Sequence, residues 1–199
     1  MASNKIVYRF VDMGRGGTFR VDEHGTAQEQ IPLLGTTDCM SCTGVYLPID
    51  THRCFLAHIN AQIKLEQGSK AAPGSAKEQE IEDEVLKRLQ DHSTAEGWSA
   101  RDVCIYVKTP GVVQKPVVAC PDMKRGCVGY PVLQAIKRFL GPDMNVAEYQ
   151  HPSKTGFVVN HATGALELFE FGNKSWMAHD MKFQKLDAAN TPGEWVFDV

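Results

Sequence analysis

The sequence predicts an α+β fold, a layered sandwich of β-strands flanked by two amphipathic helices. Three observations lead there. Runs of β-branched and aromatic residues cluster near both ends of the chain and over residues 42–59, two other stretches repeat apolar residues at helical spacing, and Gly/Pro-rich clusters separate these segments. Strands that come in groups, with helices between the groups, favour α+β over a parallel sheet built from alternating units. At 199 residues the chain is in the range of one domain, so residues 1–199 are expected to form a single domain, with 173–199 as a C-terminal extension.

Residues 5–11 (Lys-Ile-Val-Tyr-Arg-Phe-Val) read as a strand that stops at Gly14-Arg15-Gly16-Gly17, and 18–21 read as a second strand. No Gly-Lys-Ser/Thr follows the glycines, so the tetrad predicts a hairpin turn and not a phosphate loop. The polar residues 22–30 form an exposed connection, and 31–34 lead into the stretch 35–58. Within it, 42–47 is expected to be a buried strand, 48–52 a turn and 54–59 a returning strand. That hairpin faces Cys42 towards His58 across an interval of 16 residues.

Residues 66–74 are a surface loop by composition. Ser75 and Glu78 have the spacing of a capping box, and Ile81, Val85, Leu86 and Leu89 then make the apolar face of a helix near 78–91. Residues 103–108 (Val-Cys-Ile-Tyr-Val-Lys) predict a strand closed by Pro110-Gly111, and 112–119, interrupted by Pro116, an edge strand or loop. Val132, Leu133, Ile136, Phe139 and Leu140 share one face of a second helix, with Pro131 near its start and Gly141-Pro142 at its stop. Residues 157–161 and 165–171 flank Thr163-Gly164 as a hairpin. Beyond Asn173, Trp176, Phe183, Trp195 and Phe197 are spread among polar residues, and an irregular extension pinning aromatics onto the domain is expected.

With 21 basic and 24 acidic residues the net charge is −3, and no lysine/arginine block is longer than two. That excludes the concentrated basic face of a nucleic-acid binder. No stretch reaches the roughly 20 apolar residues of a membrane span, and residues 1–5 run into the first strand without a signal-like apolar region. A cytoplasmic protein, with no nucleic-acid or membrane partner, is the expectation. Six cysteines (39, 42, 54, 104, 120 and 127) are then reduced thiols, each to be explained as core filler, metal ligand or nucleophile.

A cysteine attacks a carbonyl as its thiolate, which needs a lowered pKa or a neighbouring base. A histidine supplies either, and a third group must orient the imidazole. Cys42, His58 and Thr36 are the candidates for nucleophile, base and orienting group. Alternatives stand beside them. Cys39 is a second candidate nucleophile, and Asp38 a candidate contact for the histidine. Cys39, Cys42, His52, Cys54 and His58 form a possible zinc set. Cys39-Met40-Ser41-Cys42 has the spacing of a redox pair, though such pairs open helices and residues 43–47 are strand-like. A binding or structural domain with these cysteines as packing is a further class. His52 is expected in an exposed turn, His24, His92, His151 and His179 at the surface, His161 in a strand beside a turn, and Cys104 in the core. Cys120 and Cys127 read as unrelated loop thiols, and the three tryptophans as packing residues.

The stretch from Thr36 through Ser41-Cys42-Thr43-Gly44-Val45 and Asp50 to Leu56-Ala57-His58 resembles the active-site region of the chemoreceptor glutamine deamidase (CheD-like) family, and the order of supporting elements over 31–171 matches that family as well. The chain departs from it at Arg53-Cys54, where the family has Gly-Gly, and at Thr109-Pro110-Gly111, where the Gly-Gly-Ala of the family is not evident; the Cys-to-His interval is one residue shorter. The resemblance implies a cysteine-dependent glutamine amidohydrolase with Cys42 as nucleophile, His58 as base and Thr36 as the third member. It implies no cofactor or metal, and a partner that is a protein bearing a reactive glutamine. Toxin deamidases share this Cys/His architecture, so delivery into a host cytoplasm is compatible with it. Water as the acceptor gives deamidation, an amine gives transamidation, and the residues do not choose between them.

Overall fold

The computed structural model describes residues 5–37, 39, 42–62, 75–120, 122–127, 129–150, 154–170, 182–187 and 193–198. In chain order the elements are β1 (Ile6–Phe10), β2 (Gly16–Arg20), β3 (Leu33–Thr36), β4 (Thr43–Pro48), β5 (Arg53–Gln62), α1 (Ala76–Ala95), α2 (Ala100–Lys108), β6 (Val117–Cys120), α3 (Gly129–Leu140), β7 (Ala147–Gln150), β8 (Lys154–Asn160), β9 (Leu166–Glu170), β10 (Phe183–Asp187) and β11 (Val196–Asp198). One sheet has the order β10-β1-β3-β8-β9; the other runs β11-β5-β4-β6-β7, with β2 also paired to β5. The described fold is α+β, with two sheets and three helices where two helices were expected.

Alternation along the central hairpin sets the layers. Val45, Leu47, Phe55, Ala57 and Ile59 face the helices, packing with Ile81, Val85, Leu89, Val132 and Ile136. Tyr46, Cys54 and Leu56, one residue out of phase, face Leu34, Phe157 and Val159 of the other sheet. Strands β4 and β5 are thus covered on both faces, which is why they read as nearly continuous apolar runs. On the far side of the first sheet Tyr8, Val158, Phe169 and Phe183 form a smaller cluster.

Several expectations need correction. Residues 103–108 are helical, within α2, and not a strand. Ser99 starts that helix, its backbone N–H and its hydroxyl both donating to the Asp102 carboxylate at 2.7 Å. Val103 and Val107, four residues apart, pack on the core while Ile105 is 57% exposed. A six-residue apolar run fits either period, and the cap decided it.

Strands β1 and β2 do not form a hairpin. Strand β1 lies between β3 and β10, parallel to both, whereas β2 is antiparallel to β5. The glycines let the chain pass from one sheet to the other: Gly14 has φ +70°, and a Cβ on Gly16 would lie 2.4 Å from that of Ala57.

Residues 117–120 form an interior strand between β4 and β7, beginning just past Pro116. The capping box at Ser75 is half formed. Its hydroxyl accepts the Glu78 N–H at 3.3 Å, but the Glu78 carboxylate accepts from the Gly126 N–H at 2.8 Å, tying α1 to the loop before α3. The described tail is not irregular, since β10 and β11 each extend a sheet. Trp98 and Trp195 pack on Phe55 at ring separations of 5.9 and 5.0 Å, while Trp176 lies outside the described residues.

Candidate active site

The register of the β4–β5 hairpin places the sequence-predicted residues. Gly44 pairs with His58 and Thr43 with Ile59, so position 42 falls opposite Asn60. His58 and Asn60 are two residues apart on one strand and point to the same face, towards the other sheet. Cys42 reaches that face too, because its Sγ–H donates to Asn60 Oδ1 at 3.6 Å. Cys42 and His58 are therefore diagonal neighbours, a relation that spans about 7–8 Å between backbone positions and that side chains as long as an imidazole bridge.

Thr36 comes from the end of β3 in the facing sheet. Its Oγ1 lies 2.7 Å from His58 Nδ1 and donates to the Val11 carbonyl at 2.8 Å. A hydroxyl has one proton, and the carbonyl takes it. The bond to the imidazole therefore runs from His58 Nδ1–H to Thr36 Oγ1, leaving the lone pair of the neutral ring on Nε2. Thr36 fixes both the ring's orientation and its tautomer.

Two glycine-containing segments make this contact possible. A Cβ on Gly44 would meet the Phe157 ring at 2.8 Å and the Thr36 methyl at 3.1 Å, so a glycine opposite His58 lets the sheets come close enough for threonine to reach the imidazole. The segment after β1 clamps the histidine backbone: His58 N–H donates to Arg15 O at 2.8 Å, and Gly14 N–H donates to His58 O at 2.9 Å. From the tail, Lys185 Nζ donates to Thr37 Oγ1 at 2.9 Å, beside Thr36.

Thr36, Cys42 and His58 are each at most 2% exposed, and Cys39 is equally buried. Asp38, Met40 and Ser41 lie outside the described residues, and with them any contact of Asp38, which the sequence favours as a solvated loop carboxylate. Of the zinc set, His52 sits in an exposed turn and Cys54 is four positions before His58 along β5, so the strand itself keeps them apart. Among the described residues no group of three or more His, Cys, Asp or Glu side chains could hold a metal ion. Cys42 immediately precedes strand β4 and no helix begins there, so it lacks the helix N-terminal field a redox Cys-x-x-Cys uses.

The remaining thiols are poor nucleophiles. Burial pushes Cys54 and Cys120 up to about 12, with Arg9 opposing the shift at Cys54 and the Asp122 backbone opposing it at Cys120. Cys104 and Cys127 are also raised, chiefly by burial. Cys104 is only partly buried against the core, donating to Leu140 O at 3.3 Å.

His161 lies in the turn one residue past β8 and not within the strand, His92 is not the surface residue expected, and one asparagine carried no sequence signal. His161 is fully buried: Nε2–H donates to Asp50 O at 2.8 Å, and Nδ1 accepts the Tyr46 hydroxyl at 2.7 Å. Burial lowers the His161 pKa and raises that of Tyr46 well above its ordinary value, so both are neutral at pH 7. His92 is not a free surface residue; its Nε2 is 3.0 Å from Thr18 Oγ1 and its ring packs on Phe55, Trp98 and Trp195. Asn60 carries no motif, and only the hairpin register points to it. No protein-family model matches the chain, and no curated protein matches it at a significant level.

Proposed function

We propose that the protein is a thiol-dependent glutamine amidohydrolase acting on a protein substrate, with Cys42 as nucleophile, His58 as base and acid, and Thr36 as the orienting residue. The observation that carries this reading is the direction of the Thr36–His58 hydrogen bond. Because Thr36 gives its proton to Val11 O and accepts Nδ1–H at 2.7 Å, the neutral ring carries its lone pair on Nε2, and the hairpin register puts His58 and Cys42 on one face. The resemblance to the chemoreceptor glutamine deamidase family, carried by Thr36, Ser41 to Val45 and Leu56 to His58, supplies the substrate class.

In this reading His58 Nε2 takes the Cys42 proton, and the sulfur attacks the side-chain carbonyl carbon of a glutamine. The tetrahedral intermediate collapses as the C–N bond breaks, with His58 returning the proton to the departing ammonia. Water, deprotonated by His58, then cleaves the thioester to leave glutamate and free thiol. An amine in place of water would give transamidation at the same centre. Reduced thiols suit a cytoplasm, that of the cell or of a host.

The test is ammonia release from a panel of glutamine-containing proteins by the full chain. Release by the wild type and its loss in Cys42→Ser supports the reading; equal release by both sinks it. A second reading, a binding domain in which the trio is packing, draws on the near-complete burial of all three side chains. It predicts that Cys42→Ser changes stability alone.

A further inference from the structure

One side chain in contact with the sulfur has no part in the reaction as described. Asn60 stands directly across the hairpin from Cys42, and its Oδ1 accepts the thiol proton at 3.6 Å. Thr36, Cys42 and His58 are buried, whereas Asn60 alone of the four is partly open to solvent.

Hydrogen-bond chemistry makes that arrangement dependent on the charge state of sulfur. A thiol donates, and Oδ1 is its acceptor. A thiolate only accepts, so an unchanged Asn60 would set a carbonyl dipole against a negative sulfur. The terminal torsion of asparagine is broad and nearly two-fold, and half a turn exchanges Oδ1 for Nδ2–H at almost the same place. Such a turn replaces a repulsive contact by a charge-assisted hydrogen bond.

We propose that Asn60 is a further catalytic residue of this site, its side-chain amide reversing from acceptor to donor as the Cys42 proton moves to His58 Nε2, so that Nδ2–H holds the thiolate. The inference rests on the amidohydrolase reading and deepens it. No atom beyond that proton is transferred: the S–H bond breaks, the electron pair stays on sulfur, and the imidazole becomes imidazolium. His58 removes the proton, and Asn60 lowers the cost of the charge left behind.

The test is the rate of carbamidomethylation of Cys42 by iodoacetamide between pH 5 and 9, followed by peptide mapping, in the full-length wild type, Asn60→Ala and Asn60→Asp. A carboxylate keeps the shape of the amide but has no donor and carries like charge. The expected order at pH 6.5 is wild type fastest, Asn60→Ala about tenfold slower and Asn60→Asp slower still, with the midpoint of the pH profile rising by about one unit or more. A packing role predicts the reverse order, Asp close to wild type and Ala worse, and an unmoved midpoint. Thermal unfolding of each variant separates loss of fold from loss of acidity, and Asn60→Asp, being isosteric, carries the test if the alanine variant fails to fold. Unmoved profiles in both variants, with Cys42 still labelled in a His58-dependent way, overturn the role of Asn60 alone. No Cys42 adduct in the wild type at any pH overturns the amidohydrolase reading with it.

Discussion

Two histidines lie buried between the same pair of sheets, each with a hydroxyl oxygen 2.7 Å from Nδ1, and they are set up for opposite ends. At His58 the hydroxyl belongs to Thr36, whose proton is claimed by the Val11 carbonyl, so the ring must donate through Nδ1 and keeps its lone pair on Nε2. At His161 the claim falls on the ring: Nε2–H is committed to the Asp50 carbonyl, so Nδ1 accepts from Tyr46 and both nitrogens are used. A backbone carbonyl accepts and never donates, and its position decides which histidine can act as a base and which is a strut. The residue pair alone does not distinguish them.

The two histidines should differ most in catalysis. His58→Ala should lower ammonia release by 10³-fold or more, in line with loss of a triad member, whereas His161→Gln should leave the rate of the folded fraction within a few-fold. Equal losses in the two variants would mean that the histidines do not differ as described. Next in size is Thr36→Val, which keeps the shape and removes the acceptor for Nδ1–H. A buried donor left unsatisfied costs about 1–3 kcal/mol, and freeing the ring to adopt either tautomer adds a loss of about 10–100-fold in rate. Thr36→Ser should restore most of both, as measured by urea unfolding and initial rates.

On the structural side, Tyr46→Phe deprives His161 Nδ1 of its donor. It should lower stability by about 1–3 kcal/mol while leaving alkylation of Cys42 unchanged, since Tyr46 and His161 touch neither the sulfur nor Thr36 in the contacts described. The smallest effect is on pH dependence. Burial holds the His161 pKa, and also that of His92, below the ordinary value of 6.5. Below pH 6.5 the unfolded chain binds a proton that the folded chain refuses, so the contribution of these neutral rings is complete above that pH. It declines as pH falls towards the folded values, by at most about 1.4 kcal/mol per pH unit per group. Urea midpoints between pH 8 and 5 should fall at the acid end, and less steeply in His161→Gln.

How much of this was legible in the sequence follows from the range of each contact. Cys42 and His58 flank a hairpin whose strands and turn are marked by composition, so their convergence could be read from spacing, whereas Thr36 reaches them from β3 of the facing sheet and was signalled by the family resemblance. Asn60 needed the register, which a reader of the sequence reaches only by fixing one pair, Gly44 with His58. The Tyr46–His161 pair joins residues 115 apart through sheet-on-sheet packing, and no local pattern announces it. The α1 and α3 faces were legible because twelve or more residues repeat one period; α2, at nine residues, was not, and its cap outweighed its β-branched content. The tail strands, of five and three residues, take their structure from parallel partners at the far end of the chain and within β5, which no property of the tail itself encodes.

Activation of Cys42 by His58 can be read from a map of iodoacetamide adducts at pH 6.5. Burial raises Cys54, Cys104, Cys120 and Cys127, so none of these competes at that pH. Rapid, selective modification of Cys42 is expected in the wild type and in His161→Gln, with its loss in His58→Ala. Slow and equal modification of all six thiols, unaffected by His58→Ala, would contradict it.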